Sequence, residues 1–411
     1  MYTRLPKGGP GKREGSVRLN SVWTFSASCA TLMLSLILAG CAGNSSFTTP
    51  PPPPQPAEFL YATSNPAVLV FSADTSTGAL TLEPNGPAAP GGFGIVANPS
   101  ASFLYSSDDT AGGVAGFSIS QTGVLSAVTG SPFLLPNDPP YSNLGNVDSL
   151  AMHPSGQFLY APDSPANEVV AFGVDSTTGV LTPIPGSPFP AGTQPEQVVV
   201  TPSGQFLYVS DDDTSASAGG IWAFTINSST GSLTTIAGSP FPTFNGLNPD
   251  GLVIHPSGKF LYSAIPYGNS VEGFTIDPTA GTLTEMPGSP FALGGVGAFP
   301  VAFSIAQDPA GKFLYALGSE DGRIYGFTID PNSGALTPAA GSPYGRGSSL
   351  FASSLIVDPA GKFLYFCGEN SPYIGILSID GTTGALSPAS ESSVYAAATP
   401  LGMTFVTVPQ Q

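Results

Sequence analysis

Short apolar runs recur along the chain at a nearly constant interval, each entered through a polar turn. In "HPSGKFLY" (255–262), Pro, Ser and Gly make a turn that runs into an apolar strand. "HPSGQFLY" (153–160), "TPSGQFLY" (201–208) and "DPAGKFLY" (308–315 and 358–365) repeat it. "NPSASFLY" (98–105) is a decayed copy and "AEFLY" (57–61) a truncated one. The tyrosines Tyr61, Tyr105, Tyr160, Tyr208, Tyr262, Tyr315 and Tyr365 lie 44, 55, 48, 54, 53 and 50 residues apart. Seven copies at such a period mark a repeat architecture.

Each unit holds more than this strand. A second apolar strand follows, such as "VAFGVD" (170–175) or "EGFTID" (272–277), and then a turn of the form TG-x-L, whose first and last glycines are Gly78 and Gly384. Glycine supplies the positive φ of a short hairpin there, and the leucine restarts a strand. "GSPF" or "GSPY" closes the unit at 130, 186, 238, 288 and 341, and a last apolar strand such as "EQVVVTP" (196–202) leads into the next FLY. Four strands per unit, with no helical periodicity beyond the N-terminal segment, predict an all-β fold. The expected architecture is a seven-bladed β-propeller of four-stranded antiparallel blades over 57–406, with 407–411 as a tail. The first unit lacks the strand that precedes FLY, and "TPLGMTFV" (399–406) supplies one with no FLY after it. Blade one is therefore expected to combine strands from both termini, leaving no open edge.

The N-terminal 40 residues read as a targeting segment rather than part of the fold. Arg4, Lys7, Lys12, Arg13 and Arg18 form a basic head, and an apolar run fills 22–39. "LAGC" (38–41) resembles the lipobox of bacterial lipoproteins. That resemblance implies cleavage after residue 40, acylation of Cys41, and an extracytoplasmic, membrane-anchored protein in the periplasm, at the outer membrane or at the cell surface. An uncleaved signal anchor is the alternative. Residues 41–56, with five consecutive prolines, read as a semi-rigid tether.

Composition narrows the partners. Charged residues make up 9% of the chain, while Gly (51) and Pro (44) are abundant, which suits short strands joined by tight turns. Removing 1–40 removes five of the ten basic residues and one of the 27 acids, leaving 26 acids, five bases and a formal charge of −21. That balance excludes nucleic acid, whose binding needs clustered Lys and Arg. After processing, Cys367 is the one unmodified cysteine, so no intrachain disulfide is expected; in "FLYFCG" it reads as a small buried residue. A monomer is expected.

The repeated PSG-K/Q-FLY, TG-x-L and GSPF motifs look like the lactonase family of seven-bladed propellers, which includes 6-phosphogluconolactonase-type and muconate-lactonising enzymes. The resemblance covers nearly all of 57–406 and implies hydrolysis of a lactone at the mouth of the central channel. Relatives often carry an Arg-His pair just before the innermost strand. Here those places read "GNVD" (145–148), "TQPE" (193–196) and "LNPD" (247–250), and beyond residue 40 the arginines are Arg323 and Arg346.

Loops on the mouth face carry acids such as Asp109, Asp212 and Glu369. The first residue of the innermost strand is, blade by blade, Phe93, Asp148, Glu196, Asp250, Phe303, Ser353 and Leu401. Three adjacent blades thus present carboxylates: Asp148, Glu196 and Asp250. One of them could act as general base on water, with Arg323 and Arg346 as the candidate cationic partners. The three could instead hold a hard cation such as Ca²⁺, or simply cap strand ends and hydrate the mouth. His153 and His255 fall in turns on the opposite face, at a repeat position also held by Asn98, Thr201, Asp308 and Asp358, and read as turn caps. Lys259, Lys312 and Lys362 share that face. Two functions remain open: a lactonase-like hydrolase acting on a sugar-type lactone, and a non-catalytic propeller binding a glycan, cation or partner protein.

Overall fold

The computed structural model describes residues 58–409, apart from 66, 84–91, 137–146, 148, 213–218, 295–301, 319–320, 346–351 and 370. The targeting segment, Cys41 and the tether lie outside the described residues, as do Asp148 and Arg346.

Seven antiparallel sheets follow one another in the order of the repeats. Blade four is representative: Pro195–Val200 is innermost, followed outward by Phe206–Asp211, Gly220–Ile226 and Leu233–Thr235. In blade one the innermost strand is Pro400–Thr407, which pairs antiparallel with Glu58–Ser64. The two ends of the propeller thus share one sheet, as the orphaned repeat halves predict. In blades two to five the GSPF segment adds a short fifth strand, for example Phe241–Pro242, against the third strand of its own blade.

The repeated residues hold blade to blade. Each FLY tyrosine is buried and donates its hydroxyl to the carbonyl of the TG glycine in the next blade, from Tyr61 to Gly123 (2.8 Å) through Tyr315 to Gly384 (3.0 Å). The FLY phenylalanine packs on the same glycine, where a Cβ would strike its ring, as Phe59 does at Gly123. That glycine also has φ +76°, so both space and backbone require it. Burial pushes the tyrosine hydroxyls up, which keeps them neutral donors.

His153 and His255 are structural, and they do more than cap their turns. Nδ1 of His153 pairs with the Ser155 hydroxyl (2.8 Å), and Nε2 reaches the Gly204 carbonyl of the following blade (3.0 Å). His255 makes the same pair of contacts with Ser257 and Gly311 (2.7 and 2.9 Å). Asn98, Thr201, Asp308 and Asp358 accept the FLY phenylalanine N–H from the equivalent position.

Candidate functional site

All seven blades line one cavity of about 600 Å³ at the channel through their innermost strands or the residues leading into them: 93–95, 149–150, 196–199, 250–252, 304–305, 353–355 and 402–403. Their walls are built on β-bulges. In blade four Glu196 and Gln197 lie between the pairs Pro195/Asp211 and Val198/Val209, so two residues oppose one. Blades one, six and seven show the same shift at 400–403, 302–304 and 352–354. A bulge bends the strand and re-aims a side chain, which is how an edge can turn residues toward a channel.

Second-strand hydroxyls fill the bulges. Ser107 accepts the Gly94 N–H (3.0 Å), Ser210 the Gln197 N–H (3.0 Å) and Thr63 the Gly402 N–H (2.8 Å). Glu196 is also held from blade three: the Ser149 hydroxyl donates to its carbonyl (3.0 Å) and accepts the Val198 N–H (2.8 Å). Asp250 is fixed by its N–H to the Ala264 carbonyl (3.0 Å), while Ala264 returns its own N–H to Gly251 (2.8 Å). The backbones carrying these two acids are therefore set by neighbouring strands, as a rigid site needs.

The cavity is acidic and then apolar. Glu196, second residue of its innermost strand, and Asp250, two residues before Leu252–Ile254, line it, and Glu369, from the turn after the second strand of blade seven, joins them. Two positions further along each blade stand Ile95, Leu150, Val198, Leu252, Ile305, Leu355 and Met403, one aliphatic side chain per blade. Among the described lining residues there is no Lys, Arg or His. Arg323 is not among the residues that line the cavity: it occupies a turn of blade six, its N–H bonded to Asp321 Oδ1 (3.1 Å) and its Nε buried without a hydrogen-bond partner among the described residues. Of the three acids named by sequence, the structure brings Glu196 and Asp250 to one cavity, and Asp148 lies outside the described residues, next to the lining residue Ser149. Among the described residues no group of three or more His, Cys, Asp and Glu side chains could hold a metal ion.

Other acids of this face are tied into the scaffold. Asp211 accepts the indole N–H of Trp222 (3.1 Å) and the backbone N–H groups of Thr193 and Gln194 (both 3.0 Å). Asp109 packs against Gly92, where a Cβ would collide with its carboxylate. Burial, reinforced by the charge of Asp108, pushes Asp109 up to about 6. Cys367 is buried beside Ser353 Oγ (3.4 Å) in the wall between blades seven and one, and burial pushes its thiol up to about 12.

Sequence reasoning overlooked Glu272, a fully buried carboxyl on the third strand of blade five. The signal was present: its repeat position is held elsewhere by Leu69, Ala115, Val170, Trp222, Tyr325 and Gly375. A carboxylate in an otherwise uncharged column marks an exception to the repeat.

A closed ring of seven four-stranded blades, with a walled cavity at its axis, defines the chain as a seven-bladed β-propeller with a central ligand-sized site. The sequence profile of the family described as Lactonase, 7-bladed beta-propeller matches residues 150–296 and 252–401, and the chain belongs to that family. No curated relative matches the chain. Among solved structures, a protein of Bacteroides uniformis provisionally named a 6-phosphogluconolactonase is similar with a TM-score of 0.69 and 19% identity, covering 85% of this chain and 99% of that one. A similarly named protein of Bacteroides fragilis gives 0.67 and 20%, covering 86% and 99%. The periplasmic gluconolactonase of Pseudomonas aeruginosa gives 0.67 and 19%, also covering 86% and 99%. At these identities the likeness is one of fold.

Proposed function

We propose that this protein is an extracytoplasmic, lipid-anchored lactonase-like hydrolase whose site is the acidic mouth of the central channel. The observation that carries the reading is the convergence of Glu196, Asp250 and Glu369 on one aliphatic-walled cavity of about 600 Å³, large enough for a sugar-type lactone. A carboxylate at the rim acts as general base on water attacking the lactone carbonyl, and the aliphatic ring below excludes bulk solvent. Asp148, beside Ser149, is proposed as the third rim acid. Membership of the lactonase family and the fold shared with a periplasmic gluconolactonase support both the chemistry and the compartment. The "LAGC" segment supports anchoring through Cys41, with 1–40 removed and 41–56 as tether.

The substrate is an uncharged or weakly charged lactone. Two arginines in the chain beyond residue 40, one of them away from the cavity, leave little to pair a phosphate. A second reading follows from the same acidity: the mouth binds a cation such as Ca²⁺, or a glycan or partner protein, without catalysis. A panel of neutral and phosphorylated lactones, offered to the wild type and to Glu196→Gln, Asp250→Asn and Asp148→Asn singly, separates the two. Hydrolysis of a neutral lactone that falls about 100-fold or more in at least one variant is expected for a general base. No hydrolysis of any lactone would leave the binding reading.

A further inference from the structure

Glu272 is a buried carboxyl that the proposed chemistry does not use. It stands on Ser270–Ile276 of blade five and is 0% exposed. Its Oε1 accepts the N–H of Phe244 (2.9 Å), on the connection that runs from blade four to blade five, and its Oε2 is buried with no partner among the described residues. Ser270, two positions earlier and so on the same face of the strand, is 3% exposed, and its hydroxyl is likewise buried without a partner among the described residues. That hydroxyl borders the same connection, since a Cβ on Gly268 would touch both Ser270 Oγ (3.0 Å) and Leu247 Cδ1 (3.2 Å). Six residues beyond Phe244 the connection delivers Asp250 to the cavity rim.

Among the described residues a carboxylate in this place has a donor for one oxygen only. Leaving a charged oxygen dry and unpaired is costly, so the site favours the neutral acid. Burial, partly offset by the Phe244 hydrogen bond and reinforced by the charge of Glu285 on the outermost strand, pushes Glu272 up to about 7. Among the described residues of the surrounding elements the titratable groups are Asp250 on the connection, Tyr262 on the second strand, Tyr267 in the following turn, and Tyr208, Asp211 and Asp212 of blade four. Further fastenings of the connection include the Thr243 hydroxyl to the Leu247 and Gly219 carbonyls, Gly246 N–H to Thr243 (3.0 Å), Leu247 N–H to Phe244 (3.1 Å), and Asp250 N–H to Ala264 (3.0 Å).

We propose that Glu272 is a proton-controlled latch on the 243–250 connection: neutral, it holds the connection against blade five, and ionised, it loosens the segment that positions Asp250. The latch stands on the buried geometry alone, and its effect on turnover rests on the proposed role of the channel mouth. The direction follows from linkage. With the closed-state carboxyl raised above its solvated value, closure is strongest below about 4.5 and is lost as pH rises through about 7.

Hydrogen exchange of the full chain, followed by mass spectrometry on peptides covering 243–250 from pH 5 to pH 8 and corrected for intrinsic rates, tests this. Wild-type protection should fall by up to about tenfold per pH unit and level off above about 7. Glu272→Gln keeps an acceptor for Phe244 but cannot ionise, so its protection should stay flat. Flat protection in the wild type overturns the proposal on its own, even if the variant does not fold, and equal slopes in the two proteins overturn it as well. Exchange does not read catalysis, so absence of lactonase activity leaves this result standing.

Discussion

Tyr365 in blade seven donates its hydroxyl to the carbonyl of Gly78 in blade one, at 2.9 Å and across 287 positions of sequence. It is the seventh instance of a bond that six earlier tyrosines make to the blade after their own, and it turns a series into a ring. The pairing of Pro400–Thr407 with Glu58–Ser64 closes the same junction through backbone.

Removing 399–411 should therefore leave Glu58–Ser64 as an unpaired edge, with aggregation or loss of cooperative unfolding seen by calorimetry and size-exclusion chromatography. A truncated chain that melts like the intact one would show that the terminal strand does not close the ring. Tyr365→Phe, which strands the buried Gly78 carbonyl, should cost about 1–3 kcal/mol in denaturant unfolding.

The charge of the mouth predicts its selectivity. Acids at the cavity and an excess of 26 acids over five bases beyond residue 40 gather cations and repel anions. Turnover of a phosphorylated lactone should be negligible beside that of a neutral one. If the rim binds cations, millimolar Ca²⁺ should raise the melting temperature of the wild type and have no such effect on an Asp148→Asn, Glu196→Gln, Asp250→Asn triple variant. Efficient hydrolysis of 6-phosphogluconolactone by a variant lacking Arg323 and Arg346 would refute the electrostatic argument.

Asp109 supplies a prediction with a defined sign. Its carboxyl is pushed up to about 6, so its contribution to stability is complete below about 4 and is lost as pH rises through about 6. Asp109→Asn, which stays neutral, should match the wild type near pH 4 and exceed it by about 1–2 kcal/mol at pH 8. Thermal melts at the two pH values decide this, and a variant less stable at pH 8 would assign the carboxylate a favourable partner.

Anchoring is tested by Cys41→Ser. If Cys41 carries the proposed lipid, membrane retention should be lost while the propeller melts unchanged, because the Pro-rich sequence 41–56 is expected to act as a spacer. Retention that survives the substitution would indicate an uncleaved signal anchor.

Number of blades, strands per blade and the shared first blade were legible because repeated local chemistry encodes them: a turn at PSG, a positive-φ glycine at TG, an apolar run at FLY. The column of Glu196 and Asp250 could also be read, since a repeat position keeps its place in every copy, although Glu196 is the second residue of its strand and Asp250 precedes its strand by two. Other features required the fold. The reach of His153 to Gly204, and of Tyr365 to Gly78, depends on blades meeting side by side, which no single repeat contains. Glu369 joins Glu196 and Asp250 only because a turn in blade seven reaches the same cavity, which Arg323 of blade six does not line. Glu272 is written in the sequence as one acid on a strand, but its dryness is a property of the connection packed over it. Hydrogen-bonded turns and pleats are decided by residues a few positions apart, whereas burial and field are sums over segments that only the closed ring brings together.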